Sequence, residues 1–354
     1  VKSDLLYELL GVDPEAGPAE LLFRARGIHY QLPYLVLSAV AREGVRMGVA
    51  SRDELRRAHV RADRYVELGQ QLAAEFGVRP VKGVQLAKYY PADLLRPQGD
   101  IDLVAADEPT LWNAVRRVVA DNRVENIDVT VFGADPRHVM VTMFWPATDP
   151  LSDPWYKAEF CTAALTGDFE RVPVRPALPD HDLAAVLIAL AEEGLQRQFR
   201  ARDVVDLLML STVDFAVDEV ADLVDEYRLA PEAVAMLEFA GRHIPLGTLA
   251  PLTTALAGPA ERERARRAAG DEEFPSPDGD VAAKLASGFP LHGMFLRRTA
   301  TRADWPVARV LPFEEGHLLL TPVADYLLTG QAVVTRKQYD AALAALSRWD
   351  GEQR

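Results

Sequence analysis

One pentapeptide narrows the folds open to this chain more than any other. Asp100-Ile101-Asp102-Leu103-Val104 alternates acid, apolar, acid, apolar, apolar. In a strand, successive side chains point to opposite faces, so the two aspartates share one face and Ile101 and Leu103 share the other. Two ionised carboxylates about 7 Å apart repel by very roughly 2 kcal/mol at an effective dielectric of ~20. A divalent cation between them turns that repulsion into attraction. Hard oxygen donors of this kind suit Mg²⁺ or Mn²⁺, which keep several waters and take further ligands from substrate phosphates.

The residues just upstream fit the same chemistry. Lys82-Gly83 follows a short strand or turn at Gly77–Val81, and the run Val84 to Tyr90 reads as helical. A glycine at a helix start lets the backbone approach a phosphate, whose charge the helix dipole favours. Arg96-Pro97-Gln98-Gly99 then leads into the acidic strand. Arg96 is a candidate phosphate contact or a surface partner for Asp93, and Gly99 allows the turn into the strand.

Taken whole, VKGVQLAKYYPADLLRPQGDIDLV at 81–104 resembles the signature of the bacterial nucleotidyltransferase-like family, similar to the polymerase-beta-type nucleotidyltransferase superfamily. The match is close over about 24 residues and looser over about 30 to 210. It implies an α+β fold: a mixed sheet flanked by helices, with a helical N-terminal and a mainly helical C-terminal region. It further implies transfer of a nucleoside monophosphate from an NTP to a hydroxyl or similar acceptor. Asp100 and Asp102 then bind Mg²⁺ or Mn²⁺, and Lys82, Gly83, Arg96 and Gly99 lie at the nucleotide.

The family usually places a third acid on the second strand of a hairpin, in a pattern like D-L-H-W. Here two alternating runs, Ile127–Phe132 and His138–Trp145, flank Gly-Ala-Asp-Pro-Arg and read as that hairpin. The simplest register pairs Phe132 with His138, Thr130 with Met140 and Asp128 with Thr142. Val129, Val131, Val139, Val141 and Met143 then form the core face. The expected acid and histidine are replaced by Thr142-Met143-Phe144-Trp145. Asp128, across from Thr142 on the same face, becomes the candidate third catalytic carboxylate.

Four regions divide the chain: helical 1–76, the α/β core 77–178, helical 179–269 and a mixed 270–354. In the first, Leu5, Leu6, Leu9 and Leu10 form a stripe closed by Gly11 and Pro14. Ser51 with Glu54 reads as a capping box opening a long helix to about Phe76. This region is either a substrate-side docking domain or a prop for the sheet. Glu108-Pro109 begins a helix that turns Leu111, Val115, Val118 and Val119 inward. Residues 146–179 read as a connector packed on the sheet. Helices follow from Asp180, with His181 as a cap, and from Phe199, where Arg202 and Asp206 stand four apart on one face. That segment is similar to an R-D-x-x-D-L helix found after the catalytic domain in several nucleotidyltransferase families, which buttresses the site or touches the nucleotide. An intrahelical salt bridge is the plainer reading. The charged run 261–267 suggests a solvent face, 270–279 a linker, and Arg336–Trp349 a final helix.

Composition sets the outer limits. The net charge of −14 disfavours nucleic acid as a partner, and with it a toxin-like transferase acting on transfer RNA. Nucleotide and an unidentified small-molecule, peptide or protein acceptor remain. Cys161 is the single cysteine, which precludes an intrachain disulfide and fits a reducing, cytoplasmic setting. No apolar run reaches the roughly 18 residues of a membrane span, and the first ten residues resemble no signal peptide. The seven histidines show no zinc spacing, and no Walker, Rossmann or nucleophile-elbow motif occurs. The rival to catalysis is an impaired transferase fold that binds a peptide, carrier or biosynthetic partner.

Overall fold

Gly11, in the left-handed conformation at φ 65°, ends the first helix where the leucine stripe runs out. The computed structural model describes residues 2–270, 274–276 and 278–352. Helices α1 (Ser3–Leu10), α2 (Gly17–Ile28), α3 (Leu32–Arg42) and α4 (Val49–Phe76) lead to strand β1 (Arg79–Pro80) and the short α5 (Gly83–Ala87). Strand β2 (Ile101–Val104), α6 (Glu108–Asp121), β3 (Asn126–Phe132), β4 (His138–Trp145) and β5 (Tyr156–Cys161) follow. Six helices come next: α7 (Asp182–Gln196), α8 (Ala201–Leu210), α9 (Val217–Glu226), α10 (Ala230–Gly241), α11 (Ala250–Ala255) and α12 (Ala257–Ala269). The chain finishes with α13 (Val281–Ser287), β6 (Leu291–Arg298), β7 (Arg309–Phe313), β8 (Gly316–Leu320), β9 (Ala324–Thr329) and α14 (Arg336–Glu352).

The architecture is α+β, with a nine-stranded mixed sheet in the order β1-β2-β5-β4-β3-β6-β9-β8-β7. The chain divides into two compact units that interleave in sequence. The helical unit comprises Val1–Gln70, Pro80–Ile101 and Leu178–Glu272, and the sheet unit comprises Gln71–Arg79, Asp102–Ala177 and Glu273–Arg354. The first and third regions drawn from sequence fall mostly in one unit, which also takes residues 80–101 from the region read as the α/β core, and the last region falls mostly in the sheet unit. The mainly helical part after 178 is present as six helices up to Ala269, and the mixed region beyond it adds β6 to β9, four of the nine strands, between α13 and α14. The proposed linker at 270–279 includes residues 271–273 and 277, which lie outside the described residues.

In the helical unit, Leu6 and Leu10 of α1, Leu21 of α2, Leu35 and Val36 of α3, Tyr90, Leu94 and Val205 of α8 form one buried cluster. Each fully buried large aliphatic side chain contributes roughly 1.5–3 kcal/mol. The long helix α4 begins at Val49, so Ser51 lies inside it and does not cap it. The charged run in α12 is only partly a solvent face. Glu263 is buried and takes Arg266 and Arg267, while Arg267 also reaches Glu232 of α10 at 2.6 Å.

In the sheet unit, Asp107 caps α6 by accepting from the Thr110 N–H at 2.8 Å, and Pro109 sits in the first turn. This helix buries Leu111, Trp112, Val115 and Val118, and packs on β4 and β5; Val119 is half-buried. The β3–β4 hairpin has the register read from its alternation, including Asp128 opposite Thr142. Val129, Val131, Val139, Val141 and Met143 are buried. At the far end of the sheet, Leu296, Leu318, Leu320 and Leu327 pack with Ala342 and Leu346 of α14.

Candidate functional site

The burial pattern of β2 follows the alternation of its sequence. Ile101 and Leu103 are 1% exposed, whereas Asp100, Asp102 and Val104 are half-buried. The neighbour of β2 is β5, not the hairpin. The Ala105 N–H, one residue past β2, donates to the carbonyl of Cys161, the last residue of β5, at 2.9 Å. The C-terminal ends of the two strands therefore lie together. The strands run parallel, and the slanted parallel ladder sets Asp102 level with Glu159. Ala158 and Phe160 point to the packed face and have no exposed surface, while Lys157 and Glu159 point away from it, half-buried.

Across the sheet the row continues from Glu159 to Thr142 to Asp128, by direct pairing at each step. Thr142 Oγ1 donates to Glu159 Oε2 at 3.3 Å, and Lys157 Nζ lies 3.5 Å from the same oxygen. Strands are about 4.8 Å apart, so Asp128 stands three spacings, about 14 Å, from Asp102. This removes Asp128 as a third carboxylate beside the pair, because β5 and β4 intervene. Its surroundings belong to the other half of the sheet. The charge of Asp128 helps raise the Tyr326 phenol above its ordinary range, after burial, the larger cause. Burial also raises the Asp128 carboxyl.

Glu159 is the residue that the sequence reading missed. A short alternation, Tyr156, Ala158 and Phe160 against Lys157 and Glu159, was present within the segment read as a connector. Proline and aspartate on its N-terminal side obscured it.

In the helical unit, the residues preceding Asp100 are packed inside. Leu94 to Gly99 are all buried. The Arg96 guanidinium donates through Nε to Asp206 Oδ1 at 2.8 Å and through Nη2 to Asp206 Oδ2 at 2.9 Å. Tyr90 Oη donates to the same carboxylate at 2.7 Å. Arg96 is thus a buried strut, and neither of the two roles read from sequence is formed; Asp93 pairs with Arg42 instead, at 2.8 Å. Burial opposes the Arg96 charge, but Asp206 more than restores it. Asp203 is likewise committed: Arg197 grips it through two nitrogens, and it caps α8 by accepting from the Arg200 N–H.

Gly83 and Gly99 make room for neighbouring amides. A Cβ on Gly83 would stand 3.1 Å from Gln98 Nε2, which donates to the Asp100 carbonyl at 3.2 Å. A Cβ on Gly99 would stand 1.3 Å from Gln31 Nε2 and 2.4 Å from Tyr30 Oη. The Gly99 carbonyl accepts from Tyr65 Oη at 2.7 Å. Lys82 precedes the five-residue α5 and is held by α7, with Nζ 2.8 Å from Glu193 Oε1 and 3.8 Å from Glu192 Oε2. Burial would raise the Glu193 carboxyl, but Lys82 and Arg197 bring it down to about 2.

Among the described residues, no group of three or more His, Cys, Asp or Glu side chains is arranged to hold a metal. Mg²⁺ is usually held by one or two carboxylates together with substrate phosphates, and carboxylate is the donor type that Asp100 and Asp102 offer. No helix among the described residues is long and apolar enough to cross a membrane. Compared with known proteins, the chain matches no family model, no curated protein and no solved structure.

Proposed function

We propose that this protein is a polymerase-beta-like nucleotidyltransferase, moving a nucleoside monophosphate from an NTP to a hydroxyl or similar acceptor and releasing pyrophosphate. One observation carries the reading: Asp102 stands level with Glu159 on the less buried face of the sheet, directly after Asp100 in the same alternation. Asp100 and Asp102 would hold Mg²⁺ or Mn²⁺, which supplies charge neutralisation on the phosphates when bound. Glu159 is the group suited to accept the proton of an attacking hydroxyl.

The test is incubation with each labelled NTP and Mg²⁺, followed by assay for pyrophosphate and for labelled acceptor or protein. Activity in the wild type that is lost in Asp102→Asn and Glu159→Gln supports the reading. Absence of pyrophosphate release across a broad panel of hydroxyl acceptors sinks it.

A second reading draws on a different observation. Lys82 is neutralised by Glu193, and Arg96 by Asp206, so two cations assigned to phosphate are already paired. This favours a fold retained for binding a peptide, carrier or biosynthetic partner. Partner capture unaffected by Asp102→Asn would support it.

A further inference from the structure

The helical unit contains polar groups at Asp100 that its own structure does not use. Gln31 is 5% exposed, yet its Oε1 is buried without a hydrogen-bond partner. Its Nε2 donates to Tyr30 Oη at 2.6 Å, and the amide lies against Gly99, the residue before Asp100. An unsatisfied buried acceptor costs roughly 1–3 kcal/mol, which a ligand donor would recover. The Tyr30 ring is 51% exposed and lies 4.8 Å from the His29 ring, tilted by 31°.

Arg202 supplies an independent observation. Its expected partner four residues on, Asp206, is taken by Arg96 and Tyr90, and Asp203 is taken by Arg197. Among the described residues, Arg202 makes no ion pair, although it is half-buried in the first turn of the ten-residue α8. It lies in the same neighbourhood as the other groups. The His29 imidazole is held below its ordinary range by burial and then by Arg202 and Arg200, with Asp100 pulling the other way. His29 Nδ1 accepts from the Gln31 N–H at 3.4 Å.

A ring face, an unsatisfied amide and an unpaired guanidinium together match the three parts of a nucleotide. We propose that His29, Tyr30, Gln31 and Arg202 form a nucleotide-recognition surface, on which the rings stack with the base, Gln31 Oε1 accepts from a base N–H, and Arg202 binds a phosphate oxygen. Stacking on aromatic side chains and charge-assisted bonds from arginine are general modes of nucleotide binding. The inference rests on the nucleotidyl-transfer reading, and it assigns substrate recognition to the helical unit, through the N-terminal region and α8.

Calorimetric titration with the four Mg²⁺–NTPs, and separately with tripolyphosphate, tests it. Gln31→Leu keeps the volume and removes the acceptor. It should weaken the preferred NTP about tenfold or more, corresponding to about 1.4 kcal/mol, and leave tripolyphosphate binding unchanged. Arg202→Gln should weaken both ligands, and Arg202→Lys should restore part of the loss. Tyr30→Ala, at an exposed position, provides a second test of the base contact and also removes the hydroxyl that accepts from the buried Gln31 Nε2. Circular dichroism confirms folding of each variant. Wild-type binding of NTP that persists undiminished in Gln31→Leu, Tyr30→Ala and Arg202→Gln overturns this surface alone. Failure of the wild type to bind any NTP overturns the parent reading together with it.

Discussion

Asp206 has no exposed surface, and both of its carboxylate oxygens are bonded by Arg96, at 2.8 and 2.9 Å. The pair joins the buried segment before the acidic strand to α8, within the helical unit. Breaking a buried pair leaves an uncompensated charge and typically costs about 3–5 kcal/mol. Asp206→Ala and Arg96→Ala should each lower stability by about that amount in urea denaturation. The double variant should lose much less than the sum of the two. Additive losses would show that the residues act independently.

The carboxylates of the sheet unit separate by position. Asp102→Asn and Glu159→Gln should reduce pyrophosphate release by on the order of 10²-fold or more. Asp128→Asn should leave it within about twofold, since β5 and β4 separate β3 from β2. Comparable losses in all three variants would contradict this ordering of roles.

Acid should reveal the Lys82–Glu193 contact. The Glu193 carboxyl is at about 2 in the folded chain, against an ordinary 4.5. A depressed carboxylate stabilises the fold fully above the ordinary value, and this contribution is lost as pH falls from about 4.5 towards 2. The amount is on the order of 3 kcal/mol. Urea midpoints for wild type and Glu193→Gln should differ most at pH 6 and converge only as the pH nears 2. A gap that does not change with pH would locate the effect in packing instead.

Gly99 is required by what lies against it. Gly99→Ala would push into the Gln31 amide and the Tyr30 hydroxyl, and overpacking of this kind costs about 1–3 kcal/mol. Gly99→Ala should therefore lower the melting temperature. Gly99→Ala combined with Gln31→Ala should recover part of the loss. A melting temperature unchanged by Gly99→Ala would mean that the neighbouring side chains yield freely.

The hairpin was legible because Ile127–Phe132 and His138–Trp145 alternate strictly and a five-residue turn fixes their register. The face carrying Asp102 was legible for the same reason. β9 was not, because Ala324 to Thr329 are all buried and carry no alternation. In β6 the register shifts between Phe295 and Arg297, which breaks its period. The partner of Arg96 was hidden by distance along the chain: Asp206 is 110 residues away. Its apparent local partner, Asp93, was a surface residue with a different arginine at hand.

The adjacency of β2 and β5 has a kinetic side. Helix α6 and the whole β3–β4 hairpin lie between these strands in sequence, so a crossover must close before they can meet, at an entropic cost that local turns do not incur. The hairpin can form early from nearby residues, whereas the two acids become neighbours only when the last strand of that half docks. Partly folded chains would accordingly hold most of their β-structure while lacking any competent centre, and recovery of activity on refolding should lag behind recovery of the sheet signal.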